Sequence, residues 1–406
     1  MTWEVKKLGE ITTKIGSGAT PRGGQKSYKT EGISLIRSMN VHDRYFKEKN
    51  LAFIDDEQAN DLSNVTLQAN DVLLNITGAS IARCCIVPDK YLPARVNQHV
   101  SIIRPNPEIM DSSFLNLLLT SKYYKDQLLF TGEQGSTRQA ITKVQLQDFI
   151  IHYPPLTEQK RIVAILDEAF ESIARAKESA EKNLKNAIEI FESYLQSVFE
   201  NKGEGWEAYN LEDHIKLIDY RWRTPVKTES VVRLITAKNV KLGYLQLEPQ
   251  EFIDENNYDS WMTRGIPNFG DVIFTTEAPL ANVAQMNTTE KLAFAQRIIV
   301  MQPQTDKIDQ TFLKYMLVSK PIRTKILEKG TGATVQGIKS KLLKKIKIYV
   351  PKTITEQKRI VTKLNALSAE TKKLEAIYTQ KLADLEELKK SILQKAFNGE
   401  LTEVSI

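Results

Sequence analysis

The chain has 406 residues with ordinary globular composition, 41% hydrophobic, 26% charged and 8% aromatic, and a formal net charge of +6. No run of 18 apolar residues exists, which excludes a membrane-spanning helix, and the N-terminus lacks the apolar stretch of a signal peptide. Two adjacent cysteines, Cys84 and Cys85, and four scattered histidines give neither a disulfide framework nor zinc spacing, so a cytoplasmic, metal-free protein of two or three domains is expected.

In chain order, residues 1–156 read as a mixed α and β unit. Val72–Thr77 and Val100–Arg104 are predicted to be buried strands, and Ser113–Phe130 an amphipathic helix following them. Pro154-Pro155 then leads stiffly into a long charged helix over 157–202, with Thr157 as N-cap and Glu158 at the positive helix end. Ile162, Leu166, Ala169, Ile173, Ala176 and Ala180 alternate by four and three, the seam of a coiled coil. The register slips near Asn183 and resumes as Leu184, Ile188, Phe191, Leu195 and Val198, which has the form of a stutter.

After Gly203 and Gly205 the pattern begins again. Val232–Ile235, Val272–Thr276 and Ile298–Met301 read as strands and Thr311–Leu327 as a helix in a second unit over 203–354. A second long helix follows within 355–406, with Thr355 as N-cap and a seam through Ile360, Leu364, Leu367, Thr371, Leu374, Tyr378, Leu382, Leu385, Leu388 and Ile392.

The second half is a copy of the first. Thr-Glu-Gln-Lys-Arg-Ile-Val stands at 157–163 and again at 355–361, and the register holds to Phe199 and Phe397, 198 residues apart. Trp3-Glu4 with Leu8 returns as Trp206-Glu207 with Leu211, and Thr20-Pro21 as Thr224-Pro225. Residues 36–41 return as 235–240, Asp71 as Asp271, and 98–105 as 296–303. The offset drifts from 204 to 197, which places insertions in loops around a shared scaffold. Each long helix extends about 65 Å at helical rise. The other copy is the obvious partner for its seam, and an antiparallel pair would give an internal pseudo-two-fold with one globular unit at each end of a rod. The fold class expected is therefore mixed α/β: two α+β globular units separated by two long helices that form an antiparallel coiled coil.

No catalytic constellation appears. The glycine-rich stretch Gly18–Lys26 has the wrong spacing for a phosphate loop. Tyr153-Pro154-Pro155-Leu156 lacks the leading Asp or Asn and the closing aromatic of an amino-methyltransferase loop. The charge is distributed: Lys and Arg outnumber Asp and Glu by 7 in the two globular segments, whereas the helical ones sum to −1. Excess positive charge on the globular parts suits a phosphate backbone. Side chains able to read bases or hold phosphates in the first unit are Arg22, Lys26, Lys29, Arg37, Asn40, His42, Arg44 and Arg83, with Thr137, Arg138 and Gln139. In the second unit they are Arg221, Trp222, Arg223, Lys227, Lys238, Asn239, Arg264, Arg297 and Gln336. Positions shared by both copies, such as Asn40 and Asn239 or Gln98 and Gln296, suit scaffold or backbone contacts, so sequence reading is expected where the copies differ.

Pro-Pro-Leu-Thr-Glu-Gln-Lys-Arg-Ile-Val at 154–163, its second copy, the opening Trp3–Ile11, the Thr-Pro loops and the segment 393–402 together resemble the specificity subunit of type I restriction–modification systems over essentially the whole chain. The second copy departs slightly, with Pro351-Lys352-Thr353-Ile354 where a double proline is usual. The resemblance implies two target recognition domains, each binding one half of a split, asymmetric double-stranded DNA sequence. It implies helices that set the spacer and dock two modification (methyltransferase) subunits, with two restriction subunits joining that core. No cofactor would sit on this chain, and S-adenosylmethionine, ATP and Mg2+ would belong to the partner subunits. A coiled-coil scaffold for proteins without DNA, or an enzyme with an unrecognised site, are the competing readings; salt-dependent binding to duplex DNA separates the first and an activity assay of the lone chain the second.

Overall fold

A computed structural model describes residues 3–133, 139–220, 225–229, 231–332 and 335–400. The chain forms two compact units, residues 1–180 with 380–406 and residues 181–379. Each therefore takes a piece of both long helices, Leu156–Glu200 and Ile354–Phe397.

In the first unit an antiparallel sheet runs in the order Thr12–Ser17, Val100–Pro105, Val72–Asn75, Cys84–Ile86. A smaller sheet runs Ala52–Ile54, Ile33–Ile36, Ala94–Val96, its last pair parallel, and Glu4–Lys7 pairs with Ile150–Tyr153. Side chains alternate across a strand, and here both faces are covered. Val72, Leu74 and Ile103 pack toward the helices, while Leu73, Val100 and Ile102 pack toward the smaller sheet. Two cores on one sheet explain why Val72–Asn75 reads as continuously apolar.

The second unit repeats this order strand for strand: Ile215–Asp219, Ile298–Pro303, Val272–Thr275, Val283–Gln285, then Phe252–Ile253, Val232–Ile235, Leu292–Phe294, and Trp206–Asn210 with Lys347–Pro351. Even the register matches, Ile102 facing Leu73 in one and Val300 facing Ile273 in the other.

Each predicted helix after the sheet is in fact two. Ser112–Leu119 and Lys122–Glu133 break at Ser121, and Gln310–Val318 and Lys320–Glu328 break at Ser319. The buried serine hydroxyls donate to the carbonyls of Leu118 and Met316, both at 2.6 Å, satisfying groups that helix ends leave open.

The long helices begin one residue earlier than the repeated threonine. The first starts at Leu156, and Pro155 O accepts from the amides of Glu158 and Gln159. In the second, Thr353 accepts from Glu356 N at 3.3 Å, so Thr353 and not Thr355 caps the end. The repeated glutamine explains the motif better. Gln159, fully buried, donates to the carbonyls of Ile109 and Pro154 and accepts from Asp111 N, each at 2.9 Å. Gln357 does the same with Lys307, Pro351 and Asp309 at 2.8–3.0 Å. Each amide fixes a helix start to its own unit.

Within each unit the two helical pieces are antiparallel. In the first, Ile162 and Leu166 share a core with Leu393 and Ala396, and Lys177 pairs with Glu386 at 2.6 Å. In the second, Leu195 and Phe199 pack with Ile360 and Leu364, and Thr371 Oγ1 lies 3.5 Å from Ala187 O. The repeated aromatics meet there. Trp3 and Phe397 flank Phe114 at 6.1 and 5.5 Å, as Trp206 and Phe199 flank Phe312 at 5.8 and 5.3 Å. The seam differs from the expected one at three positions. Ile188, Leu374 and Leu388 are exposed; Thr371 is buried as expected, whereas Ala187 is buried beside Ile188 and Lys389 half-buried beside Leu388. A 3.6-residue helix drifts against a 3.5-residue pattern, and at Ile188 and Leu388 the inward stripe lies one residue from the apolar one.

Candidate nucleic-acid interface

In each unit the loops that follow the central strands converge. In the first, Gly18 N donates to Asn97 O, Ile76 N to His99 O, and Gly78 N to Gln139 O, so segments near 18, 77, 98 and 139 share one end of the sheet. Gly18 is required there: a Cβ would lie 1.7 Å from Val96 O. Thr20 donates to the side chain of Gln98, and Thr77 Oγ1 is 2.6 Å from His99 Nδ1.

The second unit builds the same end with charge. Thr276 N donates to Arg297 O and Ile338 N to Thr276 O, while Glu277 pairs with Arg297 at 2.9 Å. Thr77–His99 and Glu277–Arg297 are corresponding positions. Around the ion pair lies a cleft of 480 Å³ lined by Asp219, Arg264, Gln296, Arg297 and Lys339, among others. Arg297 has φ of +78°, a strained backbone for a non-glycine residue, and such strain gathers at functional sites. An ion pair this exposed adds little stability. It holds in place a guanidinium, a planar set of donors of the kind that matches guanine edges and phosphates.

The profile of the family described as "Type I restriction modification DNA specificity domain" matches residues 1–189 and again 204–386. The chain belongs to that family. It is the DNA sequence-recognition subunit of a type I restriction–modification complex, and the catalytic activities sit on other subunits. A Methanocaldococcus jannaschii protein provisionally named the type I restriction enzyme MjaX specificity subunit is 23% identical over 418 residues, covering 98% of this chain and 93% of its own. The EcoKI specificity subunit of Escherichia coli K12 is 20% identical over 426 residues, covering 98% and 89%. The crystal structure of the HsdS subunit from Thermoanaerobacter tengcongensis superposes with a TM-score of 0.65 at 19% identity, covering 98% and 97%. A chain from a structure of complex assembly and conformational transition in the type I R-M system reaches 0.75, also at 19%, with the same coverage.

On this specificity subunit the sequence candidates separate into groups. Arg264 and Arg297 line one cleft, and Gln139 lies at the matching loop end of the first unit. Gln336 is exposed beside that region, but its amide donates to Leu327 O at 2.8 Å. Arg22, Lys26 and Lys29 are exposed on the loop around Gly24–Ser27, with Lys29 held by Asp55 at 3.0 Å. Arg37 lies 5.2 Å from the Tyr28 ring centre and donates to Asn50 O. His42 stacks on Tyr45 at 4.8 Å, Arg83 is half-buried in a turn, Lys227 pairs with Glu251 at 2.8 Å, and Lys238 is exposed. Thr137, Arg138, Arg221, Trp222 and Arg223 lie outside the described residues.

Three candidates turn into the fold. Asn40 and Asn239 are buried, and their amides hold turns: Asn40 accepts from Arg37 N and donates to Lys47 O, and Asn239 accepts from Thr236 N and donates to Gln246 O and Pro249 O. A buried amide bonded to backbone through both its oxygen and its nitrogen is not presented to a base. Arg44 turns toward the helices, its guanidinium 4.9 Å from the Phe170 ring centre, and burial lowers its pKa. The sequence reading left out His99, Thr77 and Lys339. Alignment of the copies held the signal for the first two, since both positions differ next to matched strands.

Proposed function

We propose that each unit reads one half of a bipartite, asymmetric double-stranded DNA target, with the loop ends at Thr77–His99 and Glu277–Arg297 facing the bases. The carrying observation is that two units with the same strand order and register differ in charge at corresponding loop positions. A common scaffold with different loop ends is what two unlike half-sites require. In this reading residues 1–156 and 203–354 are the target recognition domains, and the helical segments 157–202 and 355–406 set the spacer and dock two modification subunits. Two restriction subunits complete the assembly. S-adenosylmethionine, ATP and Mg2+ act on those partners, in the cytoplasm. The exposed arginines and lysines near the loop ends, Arg22, Lys26 and Arg264 among them, supply phosphate contacts.

A map of methylated adenines in cells carrying the complete system tests this. Exchanging residues 1–156 for those of another family member is expected to change one half-site and leave the other. Adding one heptad to both long helices, near Ala180 and Gln380, is expected to alter the spacer and keep both half-sites. Change in both half-sites after the domain exchange would refute independent reading.

A further inference from the structure

The two units fill the junction between a surface loop and the long helices in different ways. In the first unit the turn joining Val41–His42 to Tyr45–Phe46 supplies its own filling. Arg44 lies over Phe170 at 4.9 Å, and the Asp43 carboxylate pairs with Lys125. Lys389 Nζ sits 5.3 Å from the same ring centre.

The corresponding stretch of the second unit is Val240-Lys241-Leu242-Gly243-Tyr244. One hydrogen bond fixes the correspondence: Arg44 N donates to Cys84 O and Gly243 N to Val283 O, both at 2.7 Å. Gly243 thus replaces Arg44, Leu242 replaces Asp43, and Ser368, 198 residues along, replaces Phe170. Both halves of the cation–aromatic pair and the carboxylate are missing together. What remains is a cavity of 440 Å³ with Phe191, Tyr315 and Val318 on its wall. Leu242 and Tyr244, 44% and 55% exposed, stand at its rim.

The cavity also holds Lys314 and Lys372, and no Asp or Glu is among its lining residues. Lys314 stands where the first unit has Asn116, and its ammonium is 3.9 Å from the Tyr315 ring centre. Burial, together with the Lys372 charge, lowers its pKa to about 8. A half-buried lysine beside another cation and without a carboxylate among the cavity's lining residues favours a ligand that brings one.

We propose that this cavity binds an acidic peptide segment of a protein partner, its carboxylate received by Lys314 and Lys372 and an adjacent apolar side chain by Phe191, Tyr315 and Val318. The first unit shows the chemistry, because there the chain fills the same junction with side chains of its own, a carboxylate among them. A DNA backbone offers phosphates but nothing for the apolar wall. The inference stands apart from the reading of half-sites.

The test is fluorescence anisotropy of the full chain with a short fluorescein-tagged peptide alternating Asp with Leu, against the same peptide with Asn for Asp. Saturable binding of the acidic peptide is expected, weaker by about tenfold for the Asn peptide and for Lys314→Gln, as loss of a charge-assisted contact implies. The double variant Gly243→Arg with Ser368→Phe reinstates the filling of the first unit and is expected to abolish binding. Arg44 already tolerates φ of +65°, in the same region as the +94° of Gly243. Absence of binding, equal binding of both peptides, or binding unchanged in Lys314→Gln overturns the proposal. So does full binding by the folded double variant, or displacement by a short non-target duplex, which would assign the cavity to phosphate.

Discussion

Asp71 and Asp271 hold equivalent places, each just before a central strand, and both are buried. Each accepts from the amide three residues back, Gln68 N at 2.8 Å or Asn268 N at 2.7 Å. Their remaining partners differ. In the first unit Arg104 grips Asp71 with Nε at 2.7 Å and Nη2 at 2.8 Å. In the second, the corresponding Gln302 donates at 2.6 Å and Gln310 at 3.2 Å. The same division recurs across the molecule. Asn40 and Asn239, or Gln159 and Gln357, bind backbone and keep their identity in both copies. Thr77–His99 against Glu277–Arg297, or Arg44–Phe170 against Gly243 and Ser368, are pairs of side chains and have diverged. A side chain that satisfies backbone is tied to the fold itself, whereas two side chains that satisfy each other can change together.

Arg104→Ala gives the largest expected effect. It strands a buried carboxylate, which costs about 3–5 kcal/mol when a buried pair loses one member. Gln302→Ala removes only one of two side-chain partners, both neutral, and should cost clearly less, about 1–3 kcal/mol. Hydrogen exchange on Val72–Asn75 and Val272–Thr275 reads each unit separately; equal losses would break the comparison.

Gln159→Ala and Gln357→Ala each remove three hydrogen bonds to backbone groups, and a loss of about 2–3 kcal/mol is expected for either. Because both act on backbone, the two losses should agree. Denaturant unfolding followed by hydrogen exchange at each helix start measures them.

Arg297→Ala is expected to weaken recognition at one half-site by about 1–3 kcal/mol, the range for a bidentate base contact. His99→Ala should affect the other half-site instead. Binding titrations on duplexes altered in one half at a time check both; a loss shared equally by the two halves would count against separate readers.

The smallest effect is a pH dependence. Lys314 titrates near 8 when folded, below its ordinary 10.5, so between these values the unfolded chain holds more protons. Stability contributed by this site therefore rises as pH increases from 8 toward 10, while Tyr315, raised by burial above 10.0, stays neutral. Lys314→Met should remove that rise and increase the melting temperature of the second unit at pH 7 by a few degrees, on the order of 2–4 °C. Thermal scans across that pH range provide the measurement. In the first unit Lys389 is lowered by burial and by Arg44, so Lys389→Met offers the matching comparison.

Duplication, the two long helices, the central strands and the family were legible in the sequence, because each rests on a pattern spread over many residues. Short continuous apolar runs mark strands whose faces are both buried, and sustained four-three spacing marks a helix that needs a partner. A repeat held in register over most of the chain leaves one scaffold used twice. The site was legible only in part. Arginine at 44 and arginine at 297 look alike in a sequence, yet one lies over Phe170 and the other beside Glu277 at a loop end. Whether asparagine 40 meets a base or a backbone carbonyl depends on which atoms stand around it, and those come from strands and turns far along the chain. Composition and periodicity by themselves determined the elements and their duplication, since these follow from local spacing and from the need to bury apolar faces. Only the tertiary structure decided which polar side chains are spent on the fold and which face outward, because a hydrogen-bond donor is used or free according to its neighbours in space.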